Sequence, residues 1–174
     1  MIDFSITTAE NVSEPVTLEQ VKSHLRIYDS NIDDGYIESL IKPAREKAEQ
    51  ATGQSLVAHT IVYENSDTES EDEQVLLYPP IGEVSKVEYF DGSSYVELDS
   101  EAYTVGGARG KWVSGISDYS HIRITYTTTG WGNEDLKRLI LDLILLWYDE
   151  RPNVDEAKEK AIINKMAKYK VWQV

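Results

Sequence analysis

The first part of the chain carries two stretches of helical spacing. Thr17 begins a Thr-x-x-Gln capping box, and Val16 and Val21 are spaced as a hydrophobic staple across it. This pattern predicts a first helix that begins after Thr17. A second helix is predicted from residue 33 or 34 up to Gly53, because apolar residues recur there at helical intervals and glycine commonly follows the last helical residue.

From residue 56 to residue 129 the apolar residues alternate instead. The alternation is clearest in residues 57–63 and 121–129. The dipeptide Asp91-Gly92 is a turn signal between two further candidate strands, residues 84–90 and 95–98. Shorter strand candidates are residues 103–105 and 111–113. The block therefore predicts a small antiparallel sheet.

Helical spacing returns after Gly130. Asn133 is suited to cap a third helix over residues 136–149, the most apolar helical segment in the chain. Because a helix that is apolar nearly all round has to be covered on most sides, this one is expected at the centre of a bundle or at a subunit interface. A last amphipathic helix is predicted over residues 154–168. Its inward residues are expected to be Ala157, Ala161, Ile162 and Met166.

This order of elements predicts an α+β fold. The fold is mainly an α-helical bundle of about four helices, with a small antiparallel β-sheet inserted between helices two and three. The helical core is assigned to residues 16–53 and 133–168, the β insertion to residues 54–130 and a C-terminal tail to residues 169–174. The flanking helices are expected to pack together, since each has an apolar face to bury.

Composition excludes several kinds of chemistry. The 174 residues include no cysteine, which excludes a disulfide framework, thiol catalysis and thiolate metal sites. The net charge is -14, and such a surface repels the phosphate backbone, so tight binding to nucleic acid is not expected. The first ten residues lack the pattern of a signal peptide, and no uncharged apolar run is long enough for a membrane span.

The charge is distributed unevenly along the chain. Residues 1–132 hold 23 acids and 9 bases, whereas residues 133–174 hold eight of each. The densest acidic stretch, residues 64–73, is expected to be a solvated loop. The chain after Glu156 is basic and ends in aromatic residues, which predicts a segment that docks onto an acidic partner. The candidate docking residues are Lys165, Lys168, Tyr169, Lys170, Val171 and Trp172.

The docking segment is expected to lie outside the core of the monomer. Exposed ion pairs contribute only about 0–1 kcal/mol each, so attraction to the acidic body is a weak reason for the tail to fold back. Terminal residues also stay mobile unless they are tied down. Removal of residues 169–174 is therefore expected to leave folding nearly intact.

Six segments follow one another in a recognisable order. They are VTLEQVKSHLRI (16–27), DDGYIESLIKPAREKAEQATG (33–53), LLYPPIGEVSKVEYFDG (76–92), HIRITYTTTGW (121–131), NEDLKRLILDLILLWYDERPNV (133–154) and AKYKVWQV (167–174). In this order and spacing they resemble the head–tail connector (adaptor) proteins of long-tailed bacteriophages and prophages. The resemblance covers nearly the whole chain, and no single motif carries it.

The resemblance implies a structural virion protein with no enzymatic activity and no cofactor. Proteins of this family form a ring, twelve-fold in the virion, between the portal protein and the stopper or tail-completion protein. The ring extends the DNA channel, and DNA passes through it without specific binding. Residues 1–174 would form one connector domain in the virion neck. Assembly would take place in the host cytoplasm, and no membrane partner is implied. Both a monomer and a ring are compatible with the isolated protein.

Two other classes of function stay open on the residues alone. One is an acidic protein-interaction module or DNA mimic outside a virion. The other is a small hydrolase that uses an acid pair, Asp33/Asp34 or Asp149/Glu150, as general acid and base. Each pair lies near a predicted helix end, where capping or solvation also explains it.

The sequence contains only weak signals for a metal site or a phosphate site. The three histidines are His24, His59 and His121. No two of them have the spacing of zinc ligands. The glycine-rich segment 106–110 lacks the lysine pattern of a P-loop and is expected to be a hairpin turn. Trp112, Trp131 and Trp147 are expected to pack in the core rather than to line a ligand pocket.

Overall fold

The computed structural model describes residues 2–8, 12–28, 30–66, 73–108 and 111–171. These residues form two compact units. The sheet unit consists of the N-terminal strand and residues 57–130, and the helical unit consists of residues 13–56 and 131–171. The described residues contain four α-helices and two antiparallel sheets, which confirms the predicted α+β class and the number of helices.

The helices of the helical unit begin and end close to their local capping signals. They are α1 Leu18–Leu25, α2 Asp34–Thr52, α3 Glu134–Asp149 and α4 Glu156–Met166, followed by a 3₁₀ turn over Ala167–Tyr169. The Thr17 hydroxyl accepts a hydrogen bond from the N–H of Gln20, and the Gln20 side chain accepts one from the N–H of Thr17 at 2.9 Å. Gly53 ends α2 with a φ of 66°, which glycine adopts without steric cost.

Helix α4 differs from its prediction in its start and in its inward face. It begins at Glu156 because the Asp155 carboxylate caps it. The alanines that were expected to face inward, Ala157 and Ala161, are exposed, whereas Met166 is fully buried. Burial increases toward the C-terminal end of α4, so the apolar residues of the amphipathic pattern are buried only in its last turns.

Helix α3 lies at the centre of the helical unit and contacts α1, α2 and α4. Its buried residues are Leu136, Ile140, Leu143 and Ile144, none more than 1% exposed. The prediction that this apolar helix is covered within a bundle is confirmed. Full burial of a large aliphatic side chain stabilises a fold by roughly 1.5–3 kcal/mol, so α3 contributes strongly to stability.

A charged group lies inside the same unit. Arg45 of α2 is fully buried; its Nη1 donates to Glu49 Oε2 at 2.5 Å, and its Nε donates to Glu14 Oε2 at 2.8 Å. Glu49 also accepts a hydrogen bond from the N–H of Leu56 at 2.8 Å. Burial by itself lowers the pKa of Arg45, but the two glutamates outweigh it and raise that pKa, so the guanidinium stays charged. The cluster ties α2 to the chain before α1 and after α2.

The sheet unit contains two antiparallel sheets within the described residues. The five-stranded sheet has the order β1-β2-β8-β4-β5 and the three-stranded sheet has the order β3-β7-β6. The strands are β1 Ile2–Thr8, β2 His59–Asn65, β3 Glu73–Val75, β4 Ile81–Phe90, β5 Tyr95–Glu97, β6 Thr104–Gly106, β7 Trp112–Ser114 and β8 Ile122–Thr128. Every second residue of β2 and β8 is buried, as the alternation predicts, and Ile61 pairs with Tyr126 on the core face.

The predicted small sheet inserted between helices two and three is corrected in two ways. The main sheet has five strands, and its edge strand β1 precedes α1 in the chain. Strand β1 pairs antiparallel with β2, from Ile2 opposite Asn65 to Thr8 opposite His59. The alternation of Ile2, Phe4 and Ile6 was the available signal, but a short alternating run does not show which distant strand it pairs with.

The segment predicted as an acidic loop, residues 64–73, is also partly strand. Its first two residues end β2, and its last residue begins β3. Glu64 is paired there, because Arg123 Nε donates to its Oε1 at 2.7 Å. Residues 67–72 of this segment lie outside the described residues.

Candidate interaction surfaces

The acid pair Asp33/Asp34 is held by basic and hydroxyl groups. The Tyr148 hydroxyl donates to Asp33 Oδ2 at 2.6 Å, and Arg151 Nη2 donates to the same oxygen at 3.3 Å. The hydrogen bond from Tyr148, together with Arg151, lowers the pKa of Asp33. Asp34 pairs with Lys22 at 2.8 Å. The Asp33 carboxylate, held in its ionised form in this way, is a poor proton donor near neutral pH.

The second acid pair has a structural role at the α3–α4 connection. Glu150 accepts hydrogen bonds from Lys158 Nζ and from the N–H of Asp155, and the first of these lowers its pKa most. Both partners lie at the start of α4, so Glu150 fixes the turn between the two helices. This arrangement supports the capping interpretation for Glu150.

The histidines occupy separate environments. His24 Nε2 lies 3.2 Å from Asp142 Oδ1 in the helical unit. In the sheet unit, His59 is a buried residue of β2, and the ring of His121 meets Phe90 edge-on at 5.8 Å. Within the described ranges, no three histidine or acidic side chains are grouped as metal ligands would be. In the same ranges, no helix is long and apolar enough to span a bilayer.

The glycine-rich segment is shaped by packing. A Cβ atom on Gly106 would lie 2.1 Å from Cζ2 of Trp112, so the indole ring covers this strand position only because glycine occupies it. Gly107 has a φ of 87°, in the left-handed region that favours glycine. The glycines thus allow strands β6 and β7 to pair closely, and residues 109–110 lie outside the described residues.

The C-terminal basic segment, residues 165–171, is attached to its own helical unit. The Tyr169 hydroxyl donates to Asp135 Oδ2 at 3.0 Å, and its carbonyl accepts a hydrogen bond from Gln54 Nε2 at 2.5 Å. The N–H of Val171 donates to the carbonyl of Thr52 at 3.1 Å. These contacts fix the last described turn of the chain against α2 and the start of α3.

The expectation that the whole docking segment lies outside the monomer core is therefore wrong for part of it. Met166 is fully buried and Tyr169 packs against the helical core. A truncation that removes Tyr169 would break hydrogen bonds of the folded chain, so it does not isolate docking from folding. The exposed candidates are Lys165, Lys168, Lys170 and Val171. Trp172 lies outside the described residues, and the docking role itself stays a proposal.

Two exposed apolar features were missed by the sequence analysis. Strand β1 presents Ile2, Phe4 and Ile6 at the edge of the main sheet. The loop between α1 and α2 presents Tyr28 and Ile32, which are 73% and 92% exposed. The sequence signal for the loop was an isoleucine within the polar segment between the two predicted helices. The neighbouring residues in the sequence are too polar to bury it.

The two units also differ in charge. The segments that form the sheet unit contain 15 acids and 4 bases, whereas those that form the helical unit contain 16 acids and 13 bases. The acidic character of the chain is therefore concentrated in the sheet unit, and the C-terminal basic segment is part of the nearly balanced helical unit.

Comparison with protein families supports the resemblance seen in the sequence. Residues 15–78 match the family described as "Phage gp6-like head-tail connector protein". This range includes α1, α2, β2 and β3. No curated protein matches the chain significantly.

The fold is similar to solved chains of gene transfer agent (GTA) particles over nearly its full length. A chain in "Neck of empty GTA particle computed with C6 symmetry" is 15% identical with a TM-score of 0.73, covering 99% of this chain and 97% of that one. A chain in "Virion of native gene transfer agent (GTA) particle" is 16% identical with a TM-score of 0.71, covering 97% and 96%. A chain in "Neck of native GTA particle computed with C12 symmetry" is 15% identical with a TM-score of 0.62, covering 99% and 97%.

Proposed function

We propose that this chain, which resembles head–tail connector proteins and matches their family over residues 15–78, is a structural component of a virion neck that joins head to tail. The observation that carries the proposal is the similarity of the fold, at a TM-score of 0.73 and over 99% of the chain, to a chain of a GTA particle neck. The role is non-enzymatic, and three of the four candidate acids, Asp33, Asp34 and Glu150, are each held in an ion pair.

The assembly we propose is a ring of identical copies below the portal. The GTA necks with similar chains were computed with C6 symmetry in one case and with C12 symmetry in another; the C12 neck supports a twelve-fold ring, and C6 symmetry is compatible with one. The helical core, residues 16–53 and 133–168, would form the contacts around the ring. The portal protein would bind on one side and the stopper or tail-completion protein on the other, after assembly in the host cytoplasm.

The charge of the chain supports a channel through which DNA moves without being held. The net charge is -14, and most of it lies in the segments of the sheet unit, which hold 15 acids against 4 bases. An acidic wall repels phosphate groups, so a duplex can pass along it without binding. The same charge would suit a DNA mimic outside a virion, but the match to connector proteins favours the neck.

The full chain is expected to show no measurable binding to duplex DNA in a gel-shift experiment at physiological salt, about 0.15 M. Phosphate contacts from basic residues supply most non-specific affinity for DNA, and this chain has 17 bases against 31 acids. A basic DNA-binding protein in the same gel is the positive control. A shift at micromolar protein concentration would contradict the channel role.

The proposed function is tested with DNA-filled, tailless heads that carry a portal. The full chain should co-sediment with such heads, and electron microscopy should show added ring density at the portal vertex. Heads that lack the portal are the control and should bind no protein. Absence of binding to portal-bearing heads would contradict the proposal.

In the same assay, the variant Lys165→Glu/Lys168→Glu should bind heads roughly tenfold more weakly, because it removes two exposed charge contacts of about 0–1 kcal/mol each and about 1.4 kcal/mol is a factor of ten. Both lysines are exposed, and neither makes an ion pair with any described residue, so the thermal melt should fall only slightly, by the cost of placing acids near a helix C-terminus, about 0.3–1 kcal/mol each. The matched control, Lys47→Glu/Lys160→Glu, replaces two exposed lysines that also make no ion pair with a described residue; it changes the net charge equally and should bind normally. Equal binding of both double variants would contradict docking through the basic segment.

A further inference from the structure

One edge of the main sheet is long, regular and apolar. Strand β1 is the outermost strand beside β2, and its seven residues pair with β2 without a register shift. The strand at the opposite edge, β5, has three residues and ends in Glu97. Proteins protect sheet edges from further pairing with short strands, bulges, proline or charged side chains, and of these β1 has one charged residue, Asp3. The edge at β1 is therefore open to a further strand.

The backbone groups on the free side of β1 belong to alternate residues. The N–H of Phe4 donates to the carboxylate of its neighbour Asp3 at 2.8 Å, so it points away from β2. Because successive residues of a strand in an antiparallel pair direct their N–H and C=O groups to opposite sides, those of Ile2 and Ile6 point the same way. Within the described part of the chain, no residue of another element forms a hydrogen bond with these groups. The Asp3 carboxylate occupies the position that a carbonyl of an added strand would take.

The same residues of β1 present a row of apolar side chains. Phe4 lies opposite Tyr63 and Ile6 lies opposite Ile61, and directly opposite side chains share one face of a sheet. Tyr63 and Ile61 are 2% and 0% exposed, whereas Phe4 and Ile6 are 42% and 40% exposed. The layer that covers the core face thus stops short of β1. A further strand beside β1 would place its own apolar side chains against this row and extend the cover.

The outer face of β1 favours a basic partner. A depression of about 110 Å³ is lined there by Asp3, Phe4, Ser5, Val62 and Glu64. Glu64 is already paired with Arg123, whereas Asp3 makes no ion pair with a described residue. The stem of a lysine side chain would lie on Val62 with its ammonium group at Asp3. The segments of the sheet unit hold 15 acids against 4 bases, so long-range attraction favours a basic segment as well.

We propose that β1 binds an extended segment of a different protein, which adds to the main sheet as an antiparallel strand. Apolar residues at every second position of that segment would lie beside Ile2, Phe4 and Ile6, and a basic residue between them would pair with Asp3. The added pair is antiparallel, as is every strand pair of this sheet. Main-chain hydrogen bonds supply the affinity of such a strand, and its alternate side chains supply the specificity. A second copy is disfavoured, because pairing of β1 with β1 would bring two acidic sheet units together.

The first test uses the full chain and a synthetic peptide. In the fluorescein-labelled peptide, valine alternates with lysine, and a threonine stands at each end. Fluorescence anisotropy should show saturable binding with a dissociation constant below about 1 mM. The same peptide with glutamate in place of lysine should bind at least roughly tenfold more weakly, because its charges have the sign of the sheet unit. No saturable binding of the lysine peptide, or equal binding of both peptides, would overturn the inference.

N-methylation of the peptide separates strand addition from general attraction between charges. In the proposed pairing the valines lie opposite Ile2, Phe4 and Ile6 and exchange N–H···O bonds with them. Methyl groups on the valine amide nitrogens should therefore weaken binding roughly tenfold or more, since they remove several of these bonds. Methyl groups on the lysine amide nitrogens, which point away from β1, should leave binding nearly unchanged. Equal affinity of the two methylated peptides, which carry the same charge, would rule out strand addition.

The variant Asp3→Asn tests the charged contact. Asparagine keeps an acceptor for the N–H of Phe4, so the thermal melt should match that of the natural chain. The preference for the lysine peptide over the glutamate peptide should fall roughly threefold, as expected for one exposed ion pair. The control Asp118→Asn removes an equal charge from an exposed position of the sheet unit and should keep the preference unchanged. The same preference in both variants would contradict the role of Asp3.

Hydrogen exchange followed by mass spectrometry locates the site on the full chain. The lysine peptide should slow exchange in the fragment that contains β1 and leave the fragment that contains β5 unchanged, because a paired edge loses its contact with water. Protection of β1 in the chain alone that grows with protein concentration would place a second copy on the edge and overturn the inference.

The peptide experiments use no heads, so their outcome is independent of the proposed function. Failure of the lysine peptide to bind overturns the strand site and leaves the neck role in place. Failure of the chain to bind portal-bearing heads overturns the neck role and leaves the strand site in place.

Discussion

Glu49→Ala should lower the free energy of unfolding by about 3–5 kcal/mol, the cost of breaking a buried ion pair by removing one partner. Arg45 is fully buried and donates to Glu49 at 2.5 Å. Among the described residues, the substitution leaves its guanidinium with Glu14, at 2.8 Å, and with the exposed Glu46, at 3.8 Å. It also removes the carboxylate that accepts a hydrogen bond from the N–H of Leu56. Urea unfolding followed by circular dichroism measures the change.

The matched control is Glu46→Ala on the same helix. Glu46 is exposed and lies 3.8 Å from Arg45 Nη2, so the substitution should cost at most about 1 kcal/mol. The double variant Arg45→Met/Glu49→Leu should lose less stability than Glu49→Ala, because it leaves no arginine unpaired in the core. Equal losses for Glu49→Ala and Glu46→Ala would show that Arg45 is not buried against Glu49 in solution.

Leu143→Ala should lower the free energy of unfolding by about 2–5 kcal/mol. Leu143 is fully buried at the centre of the helical unit, where α3 contacts α1, α2 and α4. Truncation removes apolar contacts and leaves a cavity, whose cost rises by roughly 24 cal/mol for each Å³ that neighbours do not refill. The midpoint of a denaturant melt should fall while its slope stays constant.

Leu145→Ala provides the control on the same helix. Leu145 is only partly buried and does not pack against the helical core, so the same truncation should cost clearly less. A Leu143→Ala melt that cannot be distinguished from that of Leu145→Ala would place Leu143 at an assembly surface instead of the core.

These stability variants separate folding from assembly. Arg45 and Leu143 are buried, so their replacement acts on the fold and reduces assembly only through the fraction of folded chain. Lys165 and Lys168 are exposed, so their replacement should act on partner contacts with little change in the melt. An assembly defect with a normal melt is therefore the signature of a docking residue.

The sequence by itself determined the helices, most strands and the distribution of charge. The Thr17 capping box, the Gly53 C-terminus and the Asn133 cap are local signals, because each cap forms between residues at most four apart. The alternation in β2 and β8 is local as well, since successive side chains of a strand point to opposite faces. The basic character of the C-terminal segment is visible in composition alone.

The sequence predicted only part of the structure of the candidate docking segment. Its lysines are exposed, as a charged terminal segment predicts. Its attachment was not predictable, because Tyr169 is held by Asp135 and Gln54, which are distant in sequence. Only the folded helical unit brings these three residues together.

Tertiary structure decided the features that depend on distant partners. Strand β1 exists because β2 offers a backbone edge to it, and Arg45 can be buried because Glu14, from before α1, completes its pairing with Glu49. Ala157 and Ala161 are exposed although their spacing is amphipathic, since no element within the described residues covers their side of α4. In each case, whether a residue is buried or paired depends on groups that are distant in the sequence. The periodicity of a short segment carries no information about those distant groups.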